Sequence, residues 1–120
     1  MADILNDLEA IGINTAEAMP RFGGSREMYL KYILKLPEDK AMANYKSALA
    51  AEDLDSAEGY IHEFKGTSGT LGVTELFRMS SDIMATFRAK DFESIPAKNQ
   101  SLFAEYDRVS SEIIKCREQQ

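Results

Sequence analysis

Cysteine and histidine each occur only once in this chain of 120 residues, and tryptophan is absent. The single cysteine, Cys116, excludes an internal disulfide. Zinc sites draw on several cysteine and histidine ligands, and the acidic residues show no calcium-loop spacing. We therefore expect neither a metal nor another cofactor bound by this chain. We interpret Cys116 as a passive thiol at the surface or half-buried, not as a nucleophile.

Long apolar runs and an excess of positive charge are also lacking. The apolar runs are far shorter than the roughly 20 residues of a membrane span, and the N-terminus has no secretory signal pattern. The formal net charge of −6 disfavours nucleic acid and anionic membranes as partners. We predict one domain over residues 1–120, cytoplasmic and monomeric.

Strand signals are missing as well, since no segment alternates with a period of two. Helical spacing and helix-ending residues recur instead. We predict an all-α fold, in which four long amphipathic helices form an antiparallel four-helix bundle and additional short N-terminal helices cover one end. The predicted helices span 2–11, 15–19, 26–51 with a kink or restart at Leu36-Pro37, 54–71, 74–89 and 94–117.

Polar residues and one glycine mark the predicted helix ends. Asn14 or Thr15, Ser25, and Asp53 or Asp55 are suitable N-caps, and Gly72 is a natural residue just after a C-terminus. The apolar residues expected to face the core are Met28, Tyr29, Tyr32, Ile33 and Leu36 in one helix, Leu54, Ala57, Ile61, Phe64, Ser68 and Leu71 in a second, and Leu102, Tyr106, Val109 and Ile113 in the last.

The helix predicted over 54–71 carries the candidate chemistry. On a helical wheel, His62 lies roughly 130° from the centre of the apolar stripe. Lys65, Gly66 and Gly69 follow at three, four and seven residues, so they share the outer flank with His62. The helix is therefore expected to present an imidazole, an ammonium and bare backbone to solvent.

Glycines inside this helix require a reason, because each is about 1 kcal/mol less favourable than alanine. Glycine lets another surface come close to the backbone. Beside an exposed histidine, this favours docking of a partner. We expect the docking face to include Glu58, Gly59, Gly66 and Gly69.

An exposed histidine is mostly neutral at cellular pH and then holds a free lone pair, which is a nucleophile. Lys65, one turn away, could neutralise phosphoryl oxygens. The sequence contains neither a nucleotide-binding loop nor a kinase-like glycine-rich loop. We therefore expect the chain to carry a phosphoryl group on His62 but not to produce one from ATP.

Six residues of this segment stand at a fixed spacing: His62, Lys65, Gly66, Ser68, Leu71 and Gly72. They resemble the H-x-x-K-G-x-S-x-x-L-G signature of bacterial histidine-containing phosphotransfer (HPt) domains, which act in multi-step phosphorelays. The resemblance covers roughly residues 1–95. It extends upstream to Gly12-Ile13-Asn14, Arg21-Phe22-Gly23-Gly24 and Tyr29-Leu30, and downstream to Arg88-Ala89-Lys90-Asp91.

The resemblance implies a function in two-component signalling. His62 would be the phosphoacceptor, Lys65 would stabilise the phosphoryl group, and Gly66 would leave room for the partner. Donor and acceptor would be aspartates of receiver domains, in response regulators or a hybrid sensor kinase, and these would bring Mg²⁺. The chain itself would have no kinase activity. Ser68, Leu71 and Gly72 would be structural.

Two positions depart from the family pattern. Met84 stands where the family often has Glu or Gln near the histidine, and a thioether is only a weak hydrogen-bond acceptor. Ile61 precedes the histidine where a small residue is common. An alternative function is a non-catalytic helical module that binds and inhibits a kinase or receiver. A helical scaffold unrelated to phosphate would leave the exposed glycines without a reason.

Overall fold

The structure, a computed structural model, describes residues 3–119. Within that range there is no strand, and α- and 3-10 helices together take 83% of the residues, which confirms the all-α prediction. Ala2, the predicted start of the first helix, lies outside the described residues. The α-helices are α1 (Ile4–Ile11), α2 (Thr15–Ala18), α3 (Arg26–Ile33), α4 (Lys40–Ala50), α5 (Leu54–Thr70), α6 (Thr74–Arg88) and α7 (Ile95–Glu118).

Polar side chains begin most of these helices by accepting a hydrogen bond from a free backbone N–H of the first turn. Each such cap stabilises a helix by about 1 kcal/mol. Two caps had two candidates each in the sequence, Asn14 or Thr15 for α2 and Asp53 or Asp55 for α5. In the structure the caps are Asn14 and Asp53. In α2, α3, α4 and α5 the capping oxygens belong to Asn14, Ser25, Asp39 and Asp53, which accept from the backbone of Glu17, Met28, Met42 and Ser56 at 3.1, 3.1, 2.9 and 3.2 Å.

The predicted interruption at Pro37 is present as a 3-10 turn over Leu36–Glu38, between the end of α3 and the start of α4. The hydroxyl of Tyr106 donates to the carbonyls of Leu36 at 2.7 Å and Pro37 at 2.9 Å. Because Tyr106 lies on α7, this contact ties the turn to the last helix.

Helix α5 packs against both α4 and α6, and α6 packs against α7. In α5, the side chains of Ala57, Ile61, Phe64 and Ser68 have no exposed surface, as the helical wheel predicts. The α7 stripe of Leu102, Tyr106, Val109 and Ile113 is buried as well. Helix α5 is thus held from two sides, which leaves its remaining face for a site.

Three residues of the predicted apolar stripes are exposed, so their predicted burial is wrong. Leu54, 38% exposed, is the first residue of α5, and the buried stripe begins only at Ala57. Met28 and Tyr32 are 45% and 46% exposed. Helix α3 has only eight residues and buries a single ridge, Tyr29 and Ile33. Each of the two exposed residues directly precedes one of these buried residues and so points about 100° away from it.

The turn from α5 to α6 is built around Gly72, whose φ of +79° lies in the left-handed region, as expected of a residue just past a helix end. The backbone N–H of Val73 donates to the carbonyl of Ser68 at 2.9 Å. The N–H of Asn14 donates to the carbonyl of Gly72 at 2.8 Å. The N-terminal segment is therefore fastened to the end of α5.

Candidate functional site

His62 lies in the middle of α5 and is exposed. The residue before it, Ile61, and the residue two positions after it, Phe64, are fully buried. The helix backbone at this point is therefore anchored by the core, while the imidazole stands in solvent. This is the placement that the helical wheel predicts for His62.

The imidazole makes one polar contact within the described chain, from Nδ1 to the sulfur of Met84 at 3.3 Å. Met84 lies on α6 and is only 3% exposed. A thioether sulfur accepts hydrogen bonds and donates none. The contact is therefore a hydrogen bond only when Nδ1 carries the proton, and in the neutral ring Nε2 then holds the lone pair.

Substitution of Met84 tests whether the Nδ1–H tautomer of His62 is favoured by a hydrogen bond to the Met84 sulfur. Replacement of Met84 with leucine keeps a similar volume and removes the acceptor. We expect the ratio of the Nδ1–H to the Nε2–H form to fall by about two- to fivefold, since a weak hydrogen bond is worth about 0.5–1 kcal/mol. Nitrogen-15 chemical shifts of the ring report this ratio. Replacement of Met84 with glutamine, whose amide oxygen accepts more strongly, should raise it. Equal ratios in all three proteins would refute the hydrogen bond.

A pocket of about 570 Å³ brings most of the predicted site residues together. Helix α5 supplies His62, Lys65, Gly66 and Gly69, and Phe77 of α6 forms part of the wall. Glu58 is half-buried and Gly59 exposed, and neither lines this pocket. Their predicted part in docking stays a prediction.

Lys65 is half-buried, and its ammonium lies 5.8 Å from the centre of the Phe77 ring. That distance is within the range of a cation–π contact. Phe77 is not among the predicted site residues, because it lies on a different helix from the others. Its signal would have been a large aromatic side chain near the start of α6, which follows α5 after a tight turn.

The three glycines within α5 differ in their surroundings. A Cβ atom added to Gly59 or Gly66 would meet nothing within 4 Å. At Gly69 the added atom would lie 2.9 Å from Cδ2 of Phe77. Packing inside the chain thus accounts for Gly69, whereas no contact among residues 3–119 requires glycine at positions 59 and 66.

The residues predicted to be structural are all buried. The hydroxyl of Ser68 donates to the carbonyl of Phe64 at 2.8 Å, within α5. The carbonyl of Leu71 accepts from the hydroxyl of Tyr29 at 2.8 Å, and burial raises the pKa of that phenol. These contacts fix the C-terminal end of the histidine helix against α3.

Arg21 also contacts the C-terminal end of α5. Its guanidinium donates to the carbonyls of Gly69 at 2.8 Å and Thr70 at 3.3 Å, and it pairs with Glu17 at 3.1 Å. A cation at the last carbonyls of a helix complements the negative end of the helix dipole. This contact gives Arg21, in the Arg21-Phe22-Gly23-Gly24 segment, a structural role at the end of α5.

A second and larger groove, about 650 Å³, runs along the other side of α5 and shares Gly66 and Thr70 with the His62 pocket. Its other walls include Phe22, Tyr32 and Leu36. Neither His62 nor Lys65 lines this groove, so it is not the site of the candidate phosphoryl chemistry.

Cys116 is buried in α7 with 6% of its surface exposed, so its predicted location at the surface or half-buried is wrong. Burial raises the pKa of its thiol, and a protonated thiol is a poor nucleophile.

Among residues 3–119 no group of three or more His, Cys, Asp or Glu side chains is arranged to hold a metal ion. Over the same range no helix has the length and apolar content that crossing a bilayer requires.

Comparisons of this chain with protein-family models, with curated proteins and with solved structures returned no match.

Proposed function

We propose that the chain is a phosphoryl carrier of the HPt type, in which His62 accepts a phosphoryl group from a receiver-domain aspartate and passes it to another receiver domain. The observation that carries the proposal is the exposed imidazole of His62, with Nδ1 directed to the Met84 sulfur and with Lys65 and Gly66 in the same pocket. A nucleophile, a cation and an open backbone surface are the three parts that such a transfer needs.

The transfer is a displacement at phosphorus. The Nε2 lone pair of His62 forms the new N–P bond while the bond from phosphorus to the aspartyl oxygen of the donor breaks, and the donor carboxylate leaves. Nδ1 keeps its proton throughout. The reverse sequence, with an aspartate of the second receiver as nucleophile, returns the imidazole to its neutral form.

Lys65 would compensate the negative charge of the phosphoryl oxygens as they approach the imidazole. Because its ammonium already lies in the pocket before a partner binds, little reorganisation is needed. Gly66, one turn from His62, presents backbone without a side chain, so a receiver surface could approach the ring closely. Magnesium would be held by the receiver domain, where the aspartyl phosphate forms.

The finer architecture belongs to the same proposal. We assign α4, α5, α6 and α7 to an antiparallel four-helix bundle, with the preceding short helices covering one end. The packing of α5 on α4 and α6, and of α6 on α7, supports this assignment. We further propose that the chain is a monomer without kinase activity and acts in the cytoplasm.

The proposal is tested by incubating the chain with a panel of radiolabelled, phosphorylated receiver domains. Wild type is expected to take up label that is labile in acid and stable in base, and His62→Gln, which keeps a polar side chain of similar size, should take up none. Equal labelling of the two proteins would refute the proposal. If neither is labelled and both bind and inhibit a kinase or receiver equally well, the chain is the non-catalytic module instead.

A further inference from the structure

We infer that Phe77 is a positioning residue for Lys65 and that Gly69 exists to seat the Phe77 ring against α5. The inference rests on the proposed function, because Lys65 is taken to act on the transferred phosphoryl group. Phe77 and Gly69 both line the His62 pocket, and neither belongs to the six-residue signature.

The first observation is how closely the ring approaches the helix backbone. A Cβ atom at Gly69 would lie 2.9 Å from Cδ2 and 3.1 Å from Cε2 of Phe77. Real Cβ atoms are essentially never found at the shorter of these distances. The ring therefore occupies the space that any other residue at position 69 would fill.

The second observation is where the ring lies along α5. Lys65 and Gly69 are four residues apart and so are neighbours on one face of the helix. The ring that covers Gly69 is therefore beside the Lys65 side chain, and the Lys65 ammonium lies 5.8 Å from its centre. Phe77 is still 39% exposed, so burial of its own apolar surface accounts only in part for its position.

A flexible lysine side chain loses much rotamer freedom when it is held in one place. An aromatic face beside its ammonium reduces the number of conformers before a phosphoryl group arrives. The ring thus keeps the Lys65 cation in the pocket that also contains His62. Phe77 acts through Lys65 and not on the phosphoryl group itself.

Rates of phosphoryl uptake from a phosphorylated receiver domain test this coupling by a double-mutant cycle. Lys65→Ala should slow uptake about ten- to hundredfold, the range of a hydrogen bond to a charged group. Phe77→Leu should slow it about two- to fivefold, the range of an exposed cation–π contact. In the Lys65→Ala background, Phe77→Leu should cause no further slowing. If its effect persists there, Phe77 contacts the partner on its own and the inference is wrong.

Two further variants guard against a general loss of structure. Gly69→Ala retains both Lys65 and Phe77 but displaces the Phe77 ring, so it should slow uptake as Phe77→Leu does. Phe92→Leu removes an aromatic side chain of similar exposure, 43%, that does not line the pocket, and should leave the uptake rate unchanged. Uptake by Gly69→Ala at the wild-type rate would contradict the seating role of Gly69.

A measurement without any phosphoryl donor separates this inference from the proposed function. The ring current of Phe77 should shift the aliphatic protons of Lys65 upfield in the NMR spectrum of the wild type. Phe77→Leu and Gly69→Ala should abolish that shift, and Phe92→Leu should retain it. Unchanged Lys65 shifts in Phe77→Leu would overturn the inference even if His62 accepts phosphoryl groups. If wild type accepts none from any receiver, the carrier function fails and the shifts alone decide whether Phe77 holds Lys65.

Discussion

Replacing Gly72 with alanine is expected to lower the free energy of unfolding by about 2–5 kcal/mol. The backbone at Gly72 has a φ of +79°, a left-handed conformation that disfavours other residues by about 1–2 kcal/mol. An added Cβ would also clash with the carbonyl oxygen of Asn14 and lie 3.1 Å from Cβ of Ala18. Overpacking of this kind adds about 1–3 kcal/mol.

Urea denaturation followed by circular dichroism measures this change. The matched control is Gly59→Ala, which lies inside α5 in open space and should stabilise the protein by up to about 1 kcal/mol through helix propensity. A value for Gly72→Ala within about 0.5 kcal/mol of wild type, the range of an ordinary surface substitution, would contradict the tight contact between the N-terminal segment and the end of α5.

Replacing Gly66 with glutamine is expected to slow phosphoryl uptake from a phosphorylated receiver domain by at least about tenfold. Gly66 lines the pocket of His62, and a long side chain there would occupy the space that the partner surface needs. A tenfold slower uptake corresponds to a loss of about 1.4 kcal/mol in binding of the partner. An obstruction at the centre of an interface commonly costs more than this. Pulse labelling with the phosphorylated receiver gives the rate.

Two features of the Gly66→Gln experiment exclude a trivial explanation. A Cβ atom at this position would meet no atom of residues 3–119 within 4 Å, and glutamine is a better helix former than glycine, so the variant should be at least as stable as wild type. Phosphoramidate, a small phosphoryl donor, needs no docking surface and should label both proteins at equal rates. Ala104→Gln, at an exposed position on α7, is the control for adding the same side chain elsewhere. A wild-type rate with the receiver would exclude Gly66 from the docking face.

The helix ends were predictable from sequence because they depend on local hydrogen bonds. Ser25 and Asp53 each cap the helix that follows them directly, and Gly72 sits where the chain must turn. The buried stripe of α5 also followed from periodicity, except at Leu54. Periodicity gives the direction of a helix face but not the point at which a neighbouring helix begins to cover it, which is why Leu54 and Tyr32 were wrongly placed in the core.

The site was predictable only where a single helix defines it. The exposure of His62 and its shared flank with Lys65 follow from the positions of both residues on α5. The contact of His62 with Met84 crosses from α5 to α6, and the resemblance, not the periodicity, pointed to position 84. Three glycines of α5 look alike in the sequence, yet only Gly69 has a neighbour in the way. That difference depends on Phe77, which no local pattern connects to α5.

The most direct test of the proposed function identifies the atom that carries the phosphoryl group. Wild type should be phosphorylated by a receiver domain, kept under basic conditions, and studied by phosphorus-31 NMR together with mass spectrometry of its peptides. We predict one phosphoryl group, on Nε2 of His62, which disappears when an unphosphorylated second receiver is added. A phosphoryl group on a serine, threonine or tyrosine, or the same uptake by His62→Gln, would contradict the assignment of His62 as the carrier.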